Sequence, residues 1–341
     1  MNNEIDLSKH KIRTDLAIET LPSMENLDTY VKDEQIKVTS LHVDSKLSQE
    51  IGKKEGTYIT IEFDDVTDYD NREKVGQTLE EEIKKMLDDK KITPQDECLI
   101  IGLGNEKSTP DALGPLTIKN VLVTRHLFLL GTNVKEGIRK VSALSPGVMG
   151  NTGIETIDLI KNIVETIKPS FVIVIDALAS SSIERVNKTI QMTDSGIEPG
   201  SGVGNSRKEI SEQILGIPVI AIGVPTVVDS STIVSDTINY LLKHLSYIKD
   251  NYSRNKLIVT RSNYLEKIKN SNLSKNEKEE VIGMLGTLSE EEQKKLIIEV
   301  LEAINYNMIV TPKEIDYLIE KLSDVISSAL NNALHKEITN Y

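Results

Sequence analysis

Two aspartates in this 341-residue chain are suited to acid–base chemistry. Asp176 ends the apolar run FVIVID, and Asp111 lies in the loop segment GLGNEKSTPDALGP. Two carboxyl groups that share a site cannot both ionise cheaply, so one of them keeps a proton near neutral pH. Such a pair could activate a water molecule with one member and protonate a leaving group with the other. The same oxygens could instead bind a divalent metal ion.

Each aspartate also has a purely structural interpretation. Asp111 follows Pro110, so it fits the first turn of a helix, where a carboxylate interacts favourably with the helix dipole. Asp176 could organise the loop that follows it, although a carboxylate after five apolar residues is costly to bury without a partner. The two together are more informative than either alone, because the ends of neighbouring parallel strands lie about 4.8 Å apart.

Three glycine-containing loops could support such a pair. The first, GLGN, ends at Asn105 and lacks the third glycine of a dinucleotide-binding loop. In the second, SPGVMGNTGIET, Thr152 or Asn151 could cap a helix and leave backbone N–H groups free for an oxyanion, or the segment could be a tight turn. In the third, Asp194 starts an Asp-Ser-Gly triplet. Pepsin-like enzymes need two such triplets on an all-β fold, so Asp194 is better explained as organising its own turn.

The elements that must position these residues are strands and helices in alternation. The runs 98–104, 171–177 and 218–224 are apolar almost throughout, which is typical of strands covered on both faces. Helical segments, among them 111–130 and 231–247, separate them, as in βαβ units. We therefore predict a three-layer α/β/α core with a mainly parallel sheet, of the phosphorylase/hydrolase-like type, over residues 95–250.

The flanking regions have a different character. Residues 16–94 contain two β-rich stretches, 36–43 and 58–63, and a helical pattern over 74–90, so we expect a β-containing region that packs on the core. Residues 251–341 are rich in Lys, Glu, Asn and Ser with helical spacing, which predicts a helical C-terminal region.

Composition argues against several classes of protein. The formal net charge is −13, which disfavours direct binding to nucleic acid. A single cysteine, Cys98, lies in an apolar run and is better explained as a buried thiol than as a nucleophile. No GxSxG or HExxH motif and no apolar run of about 18 residues occurs, so we expect no serine elbow, no zincin site and no membrane span. A polar start without a secretory signal favours the cytoplasm.

Long segments in a characteristic order resemble the germination protease (spore protease) family of spore-forming Firmicutes. They cover most of residues 11–245: RTDLAIE, GLGNEKSTPDALGP, VTRHL, SALSPGVMGNTGIET, FVIVIDALA, ERVNKTIQMTDSGIEPGSGVGNSRKEIS and LGIPVIAIGVPTVVDSSTIVSDTINYLL. The resemblance implies an aspartic-type endopeptidase that degrades small acid-soluble spore proteins in the germinating spore core and assembles as a homotetramer.

The family's fold resembles that of hydrogenase maturation endopeptidases, in which a GxGN…(D/E)xxG segment and a strand-end VDA supply two acidic groups. GLGN…PDALG and VIDA match them here, so the resemblance also selects Asp111 and Asp176. It offers no clear counterpart of the histidine metal ligand of those enzymes. We assign no cofactor, and a divalent metal between the two aspartates stays open.

The resemblance further implies a zymogen that cuts its own N-terminus after an acidic residue, before a hydrophobic residue followed by Ala. Asp15, Leu16 and Ala17 fit, which places the cut between Asp15 and Leu16 and makes residues 1–15 a propeptide. Ile12 departs from the acidic residue that the family prefers four positions before the bond. Two alternatives stay open: a metallopeptidase that uses both aspartates as ligands, and a non-catalytic module that binds spore proteins in a groove.

Overall fold

The structure is a computed structural model that describes residues 14–21, 27–33, 35–204, 207–251, 268, 271–304, 306 and 308–336. The described residues fall into two compact units. Residues 14–180, 184–227 and 311–336 form what we call the sheet unit, and residues 181–183 and 228–310 with their gaps form the helical unit. Of the predicted propeptide, only Thr14 and Asp15 lie within the described residues, and Ile12 lies outside them.

A mixed sheet forms the centre of the sheet unit. Its strands are β1 (Asp28–Asp33), β2 (Ile36–Val43), β3 (Gly56–Phe63), β4 (Cys98–Gly102), β5 (Val141–Leu144), β6 (Phe171–Ser180), β7 (Thr189–Thr193) and β8 (Val219–Asp229). Their order is β1-β2-β3-β7-β8-β6-β4-β5. Strand β4 runs parallel to β5 and β6, whereas β1, β2, β3, β7 and β8 pair antiparallel in succession.

Helices complete both units. They are α1 (Ser45–Ile51), α2 (Tyr69–Asp89), α3 (Leu113–Asn120), α4 (Arg125–Leu129), α5 (Met149–Thr152), α6 (Thr156–Ile167), α7 (Glu212–Leu215), α8 (Ser230–Asn251), α9 (Lys275–Ile282), α10 (Glu290–Ala303) and α11 (Ile315–Leu334). In the helical unit, α8 packs against α10, and a short strand β9 (Ile309–Val310) pairs with the last two residues of β8. None of the described helices is both long and apolar enough to cross a membrane.

The two faces of the sheet bury different helices, because successive side chains of a strand point to opposite sides. On one face, alternate strand residues such as Ile100 and Ile173 pack with α2 and α11. On the other face, Leu99 and Val172 pack with Ile160 of α6. Helices therefore cover both faces, and the predicted three-layer α/β core with a following helical segment is confirmed.

The antiparallel strands extend the sheet beyond the predicted parallel core. Strand β7 was not predicted, and it joins β3 to β8, so the expected N-terminal β-rich region shares one sheet with the core. The predicted domain boundaries at 15, 94 and 250 stay a prediction. The predicted helix 111–130 is wrong as one element: α3 ends at Asn120 and α4 begins at Arg125. The break has a physical cause, since Thr124 donates a hydrogen bond to the carbonyl of Arg139 and accepts one from the N–H of Val141.

Candidate active site

Asp176 lies within β6, which continues to Ser180 and so extends past the strand end that the apolar run FVIVID predicted. It is 5% exposed, and its Oδ1 accepts a hydrogen bond from the N–H of Ala177 at 2.9 Å. Burial raises the pKa of Asp176 well above its usual value, and the nearby charges of Asp111 and Asp15 raise it further. Both causes favour the protonated form of Asp176.

Asp111 ends a short 3₁₀ helix, Thr109–Asp111, that follows the loop after β4. Its Oδ2 accepts a hydrogen bond from the N–H of Asn105 at 2.9 Å, and the hydroxyl of Thr226 holds the preceding carbonyl, that of Pro110, at 2.7 Å. Burial raises the pKa of Asp111 to about 6, and the Asn105 N–H opposes part of that rise. Near neutral pH most of this carboxyl is ionised.

The loop that carries Asp111 is closely packed, so that the backbone of Asp111 lies directly against Gly104. Gly104 has a φ of +108°, and a Cβ at this position would collide with the backbone oxygen of Asp111. A backbone hydrogen bond also ties this loop to β6: the N–H of Leu103 donates to the carbonyl of Ile175, the residue before Asp176, at 2.8 Å. The two carboxyl groups thus lie close enough for the charge of Asp111 to raise the pKa of Asp176, but Asp176 lies within β6 and Asp111 on the 3₁₀ helix, so the predicted meeting of two strand ends is wrong in detail.

The segment that contains Asp15 lies beside this pair. The N–H of Asp15 donates to the carbonyl of Ala179 at 3.0 Å, and the N–H of Ala179 donates to Oδ2 of Asp15 at 2.8 Å. The hydroxyl of Ser201 donates to the other carboxylate oxygen, Oδ1. A Cβ on Gly202 would collide with the Asp15 carboxylate, so this glycine makes room for it. The pocket therefore suits an acidic side chain.

The residues that follow Asp15 are held by apolar and backbone contacts. Leu16 is fully buried and packs with Ile18 and Leu178. Ala17 is also fully buried, and its N–H donates to Oε1 of Gln191 at 2.7 Å. Nε2 of the same Gln191 side chain donates to the carbonyl of Asp15 at 3.2 Å. Gln191 therefore contacts the chain on both sides of the Asp15–Leu16 bond.

Polar contacts extend the binding in both directions along the segment. Before the bond, Nζ of Lys53 donates to the carbonyl of Thr14 at 2.8 Å. After it, the carboxylate of Glu19 accepts a hydrogen bond from the hydroxyl of Ser180 at 2.6 Å and lies 3.8 Å from the Arg185 guanidinium. Residues 14–19 thus occupy a groove, which we call the segment groove, with polar contacts at both ends and apolar contacts in the middle.

The predicted supporting residues have different positions. Asn105 contacts Asp111 as described, and its side-chain oxygen accepts a hydrogen bond from Asn151 at 3.1 Å. Asp194 instead accepts the N–H of Thr57 and forms an ion pair with Lys90 at 2.9 Å, so its partners lie on β3 and at the end of α2.

The predicted helix cap at Thr152 or Asn151 is wrong. The N-cap of α6 is Glu155, without a side-chain hydrogen bond to the helix, and Thr152 ends α5 instead. The hydroxyl of Thr152 donates to the carbonyls of Val148 and Ile154.

Three contributors to the segment groove were not predicted as site residues: Ala179, Gln191 and Ser201 lie in segments that the family resemblance covers, but no residue type or spacing singled them out. Cys98 is buried, and burial raises the pKa of its thiol, which leaves no thiolate for nucleophilic attack. Among the residues that the structure describes, no cluster of three or more His, Cys, Asp or Glu side chains is arranged to hold a metal ion.

The family model and the similar curated proteins point to the same family. A family model described as germination protease matches residues 11–341. Similar proteins include germination proteases of Bacillus velezensis, 46% identical, and Bacillus subtilis, 45% identical, each over 99% of this chain and 97% of the relative. Among solved structures, a NiFe hydrogenase maturation protease from Thermococcus kodakarensis matches 39% of this chain and 75% of its own, at 20% identity and a TM-score of 0.26.

Proposed function

This chain belongs to the germination protease family and is a protease of spore germination, and on that premise we propose that it is an aspartic-type endopeptidase whose catalytic pair is Asp111 and Asp176. The observation that carries the proposal is the electrostatic interaction between two buried carboxyl groups, one within β6 and one on the 3₁₀ helix that follows the β4 loop. Burial and the charge of Asp111 raise the pKa of Asp176 and favour its protonated form, whereas Asp111, with a pKa of about 6, is mostly ionised at neutral pH. An acid and a base are then present together.

The proposed reaction assigns one role to each carboxyl. Asp111 accepts a proton from a water molecule as the water oxygen bonds to the peptide carbonyl carbon. Asp176 gives its proton to the peptide nitrogen, the C–N bond breaks, and an acid and an amine leave. The proton on Asp111 then passes to Asp176, which restores the starting state. No metal ion takes part in this scheme, and abolition of cleavage by a chelator would replace it with a metallopeptidase mechanism.

The second part of the proposal is that the chain is a zymogen that cuts its own Asp15–Leu16 bond. Asp15 lies near enough to Asp176 for its charge to raise that pKa, and the segment groove holds the residues on both sides of the bond. Because the cut lies within the same chain, the rate constant of self-cleavage should not depend on protein concentration.

The third part concerns substrates and assembly. A pocket for an acidic side chain, then a buried Leu16, then a buried Ala17 supports cleavage after Glu or Asp, before a hydrophobic residue followed by Ala. Small acid-soluble spore proteins are the proposed substrates, in the cytoplasm of the spore core, and a homotetramer is the proposed assembly. Sedimentation equilibrium would check the assembly.

Conservative substitutions test the catalytic pair. Asp176→Asn and Asp111→Asn should each slow self-cleavage and cleavage of a spore protein by about 10³-fold, because each removes one proton-transfer group. Asp89→Asn, at an exposed position near the end of α2, is the matched control and should be fully active. Mass spectrometry follows the products, and thermal melting checks the fold. Wild-type rates in either active-site variant would remove that carboxyl from the mechanism, and a first residue other than Leu16 would refute the assigned cut.

A further inference from the structure

One buried polar side chain of the sheet unit, that of Gln191, lies in the middle of β7. It is 6% exposed, and a buried amide must find hydrogen-bond partners or lose stability. Its side-chain partners are backbone groups of the segment groove's occupant rather than groups of the sheet: the carbonyl of Asp15 and the N–H of Ala17. The strand therefore carries a polar group at a core position and aims it at the bond that we propose is cut.

The chemistry of the two contacts fixes the orientation of the amide. A backbone N–H can only donate, so Oε1 must be the atom that faces Ala17, and a carbonyl can only accept, so Nε2 must face Asp15. Oε1 lies 2.7 Å from the Ala17 nitrogen, and Nε2 lies 3.2 Å from the Asp15 oxygen. One planar group thus spans the Asp15–Leu16 bond and leaves the carbonyl oxygen hydrogen-bonded.

Gln191 and Asp176 point to the same side of the sheet. On β7, the residues on either side of Gln191, Ile190 and Met192, belong to the core cluster that contains α2 and α11. On β6, Ile175, which precedes Asp176, belongs to that same cluster. Alternation along a strand then places Gln191 and Asp176 together on the opposite face.

We propose, as a refinement that depends on the proposed function, that Gln191 is a further catalytic residue, which holds the scissile peptide and stabilises the oxyanion that forms on its carbonyl oxygen. A fixed N–H donor aimed at a carbonyl oxygen stabilises the negative charge that develops there as water adds. Both contacts are to backbone atoms, so Gln191 serves every substrate that binds in the register of residues 14–19, whatever its side chains. Specificity is left to other groups of the groove.

Gln191→Glu and Gln191→Ala separate catalysis from binding. Glutamate keeps an oxygen for the Ala17 N–H but has no donor for the Asp15 carbonyl when ionised, whereas alanine has neither. In the full-length chain, Gln191→Glu should retain protection of the Ala17 amide in hydrogen exchange and slow self-cleavage by about 10²–10³-fold. Gln191→Ala should lose both. The matched control is Gln77→Glu, the same change at an exposed position of α2, which should leave both measurements unchanged.

The result that would overturn the inference is a Gln191→Glu chain that self-cleaves within threefold of wild type. Asp176→Asn is measured alongside so that the two proposals can fail separately. A processing wild type, an inactive Asp176→Asn chain and an unaffected Gln191→Glu chain count against Gln191 alone. Full processing by Asp176→Asn with a slow Gln191→Glu chain counts against the acid pair and supports Gln191. A wild type that never loses its first fifteen residues counts against both proposals.

Discussion

The parallel and antiparallel halves of the sheet contribute different things to the site. Strand β6 and the loop after β4 carry the two carboxyl groups; burial raises the pKa of both, and the charge of Asp111 raises that of Asp176 further. The antiparallel half, through Gln191 on β7 and Lys53 just before β3, supplies contacts to backbone atoms of the bound segment. Acid–base chemistry and alignment of the peptide are therefore assigned to different strands. Substitutions in the parallel half should therefore affect proton transfer, and those in the antiparallel half should affect alignment of the peptide, with different losses of activity.

Beyond the substitutions of Asp111, Asp176 and Gln191 themselves, the largest effect is expected from Gly104→Ala, in the parallel half. A Cβ there collides with the Asp111 backbone, so the loop must move and the carboxyl with it. Self-cleavage should fall by about 10²-fold or more, since a displacement of about 1 Å in a catalytic group can cost that much. Gly131→Ala is the matched control: φ is also positive, at +68°, but no atom lies within 4 Å. That variant should lose about 1 kcal/mol of stability and keep its activity. Equal activity losses in both would show that the collision is unimportant.

A smaller effect concerns the stability cost of the acid pair. The folded-state pKa of Asp111, about 6, lies above its ordinary value of 3.8, so the folded chain binds this proton more tightly than the unfolded chain does. Its contribution to stability is present below about pH 4 and is lost as the pH rises through about 6. Asp111→Asn should therefore stabilise the fold at pH 8 by on the order of 1–2 kcal/mol, allowing for screening by solvent, and have little effect at pH 3.5.

Urea unfolding at the two pH values measures this difference. Asp96 provides a control of opposite sign, because the hydrogen bond from the Thr93 hydroxyl holds the pKa of Asp96 below its usual value. Asp96→Asn should destabilise the fold at pH 8 and not at low pH. A stabilisation by Asp111→Asn that is the same at every pH would show that titration of this carboxyl is not its cause.

The smallest effect is expected at the pocket for the acidic side chain. Ser201 donates to the Asp15 carboxylate, and Ser201→Ala should weaken the preference for Asp over Asn at position 15 by about tenfold, the worth of one partly exposed hydrogen bond to a charge. Self-cleavage rates of the wild type, Ser201→Ala, Asp15→Asn and the double variant form the cycle that measures this coupling. Ser48→Ala, on α1, replaces Ser201→Ala in the control cycle. Additive effects of Ser201→Ala and Asp15→Asn would remove Ser201 from recognition.

The parallel half was largely predictable from sequence. Apolar strands such as 98–102 and 171–175 stand out because they are covered on both faces, and a carboxylate after such a strand is costly enough to attract notice. The two aspartates were predicted to meet at the ends of parallel strands, whereas Asp176 lies within β6 and Asp111 on the 3₁₀ helix after the β4 loop. The sequence could not give the protonation of each carboxyl, because burial and the N–H of Asn105 depend on how the loop closes.

The antiparallel half was harder to predict for a physical reason. Strand β7 reads TIQMT, which is too short and too polar on one side to be recognised as a central strand. Its polar residues are buried because a segment about 175 positions earlier in the chain covers them, as with Gln191 and Ala17. Patterns in a single sequence describe local periodicity, so they do not indicate which distant segment buries a given side chain.

The complete burial of Leu16 and Ala17 affects what happens after the cut. A chain opened at Asp15 would still carry its own new N-terminus inside the leaving-group half of the groove, as a tethered reaction product. Tethering by a short linker corresponds to a local concentration in the millimolar range, which competes strongly with any dilute peptide. Cleavage of the bond alone would therefore not yield a working enzyme. The new N-terminus must also leave the segment groove, and we expect this dissociation to limit the rate of activation.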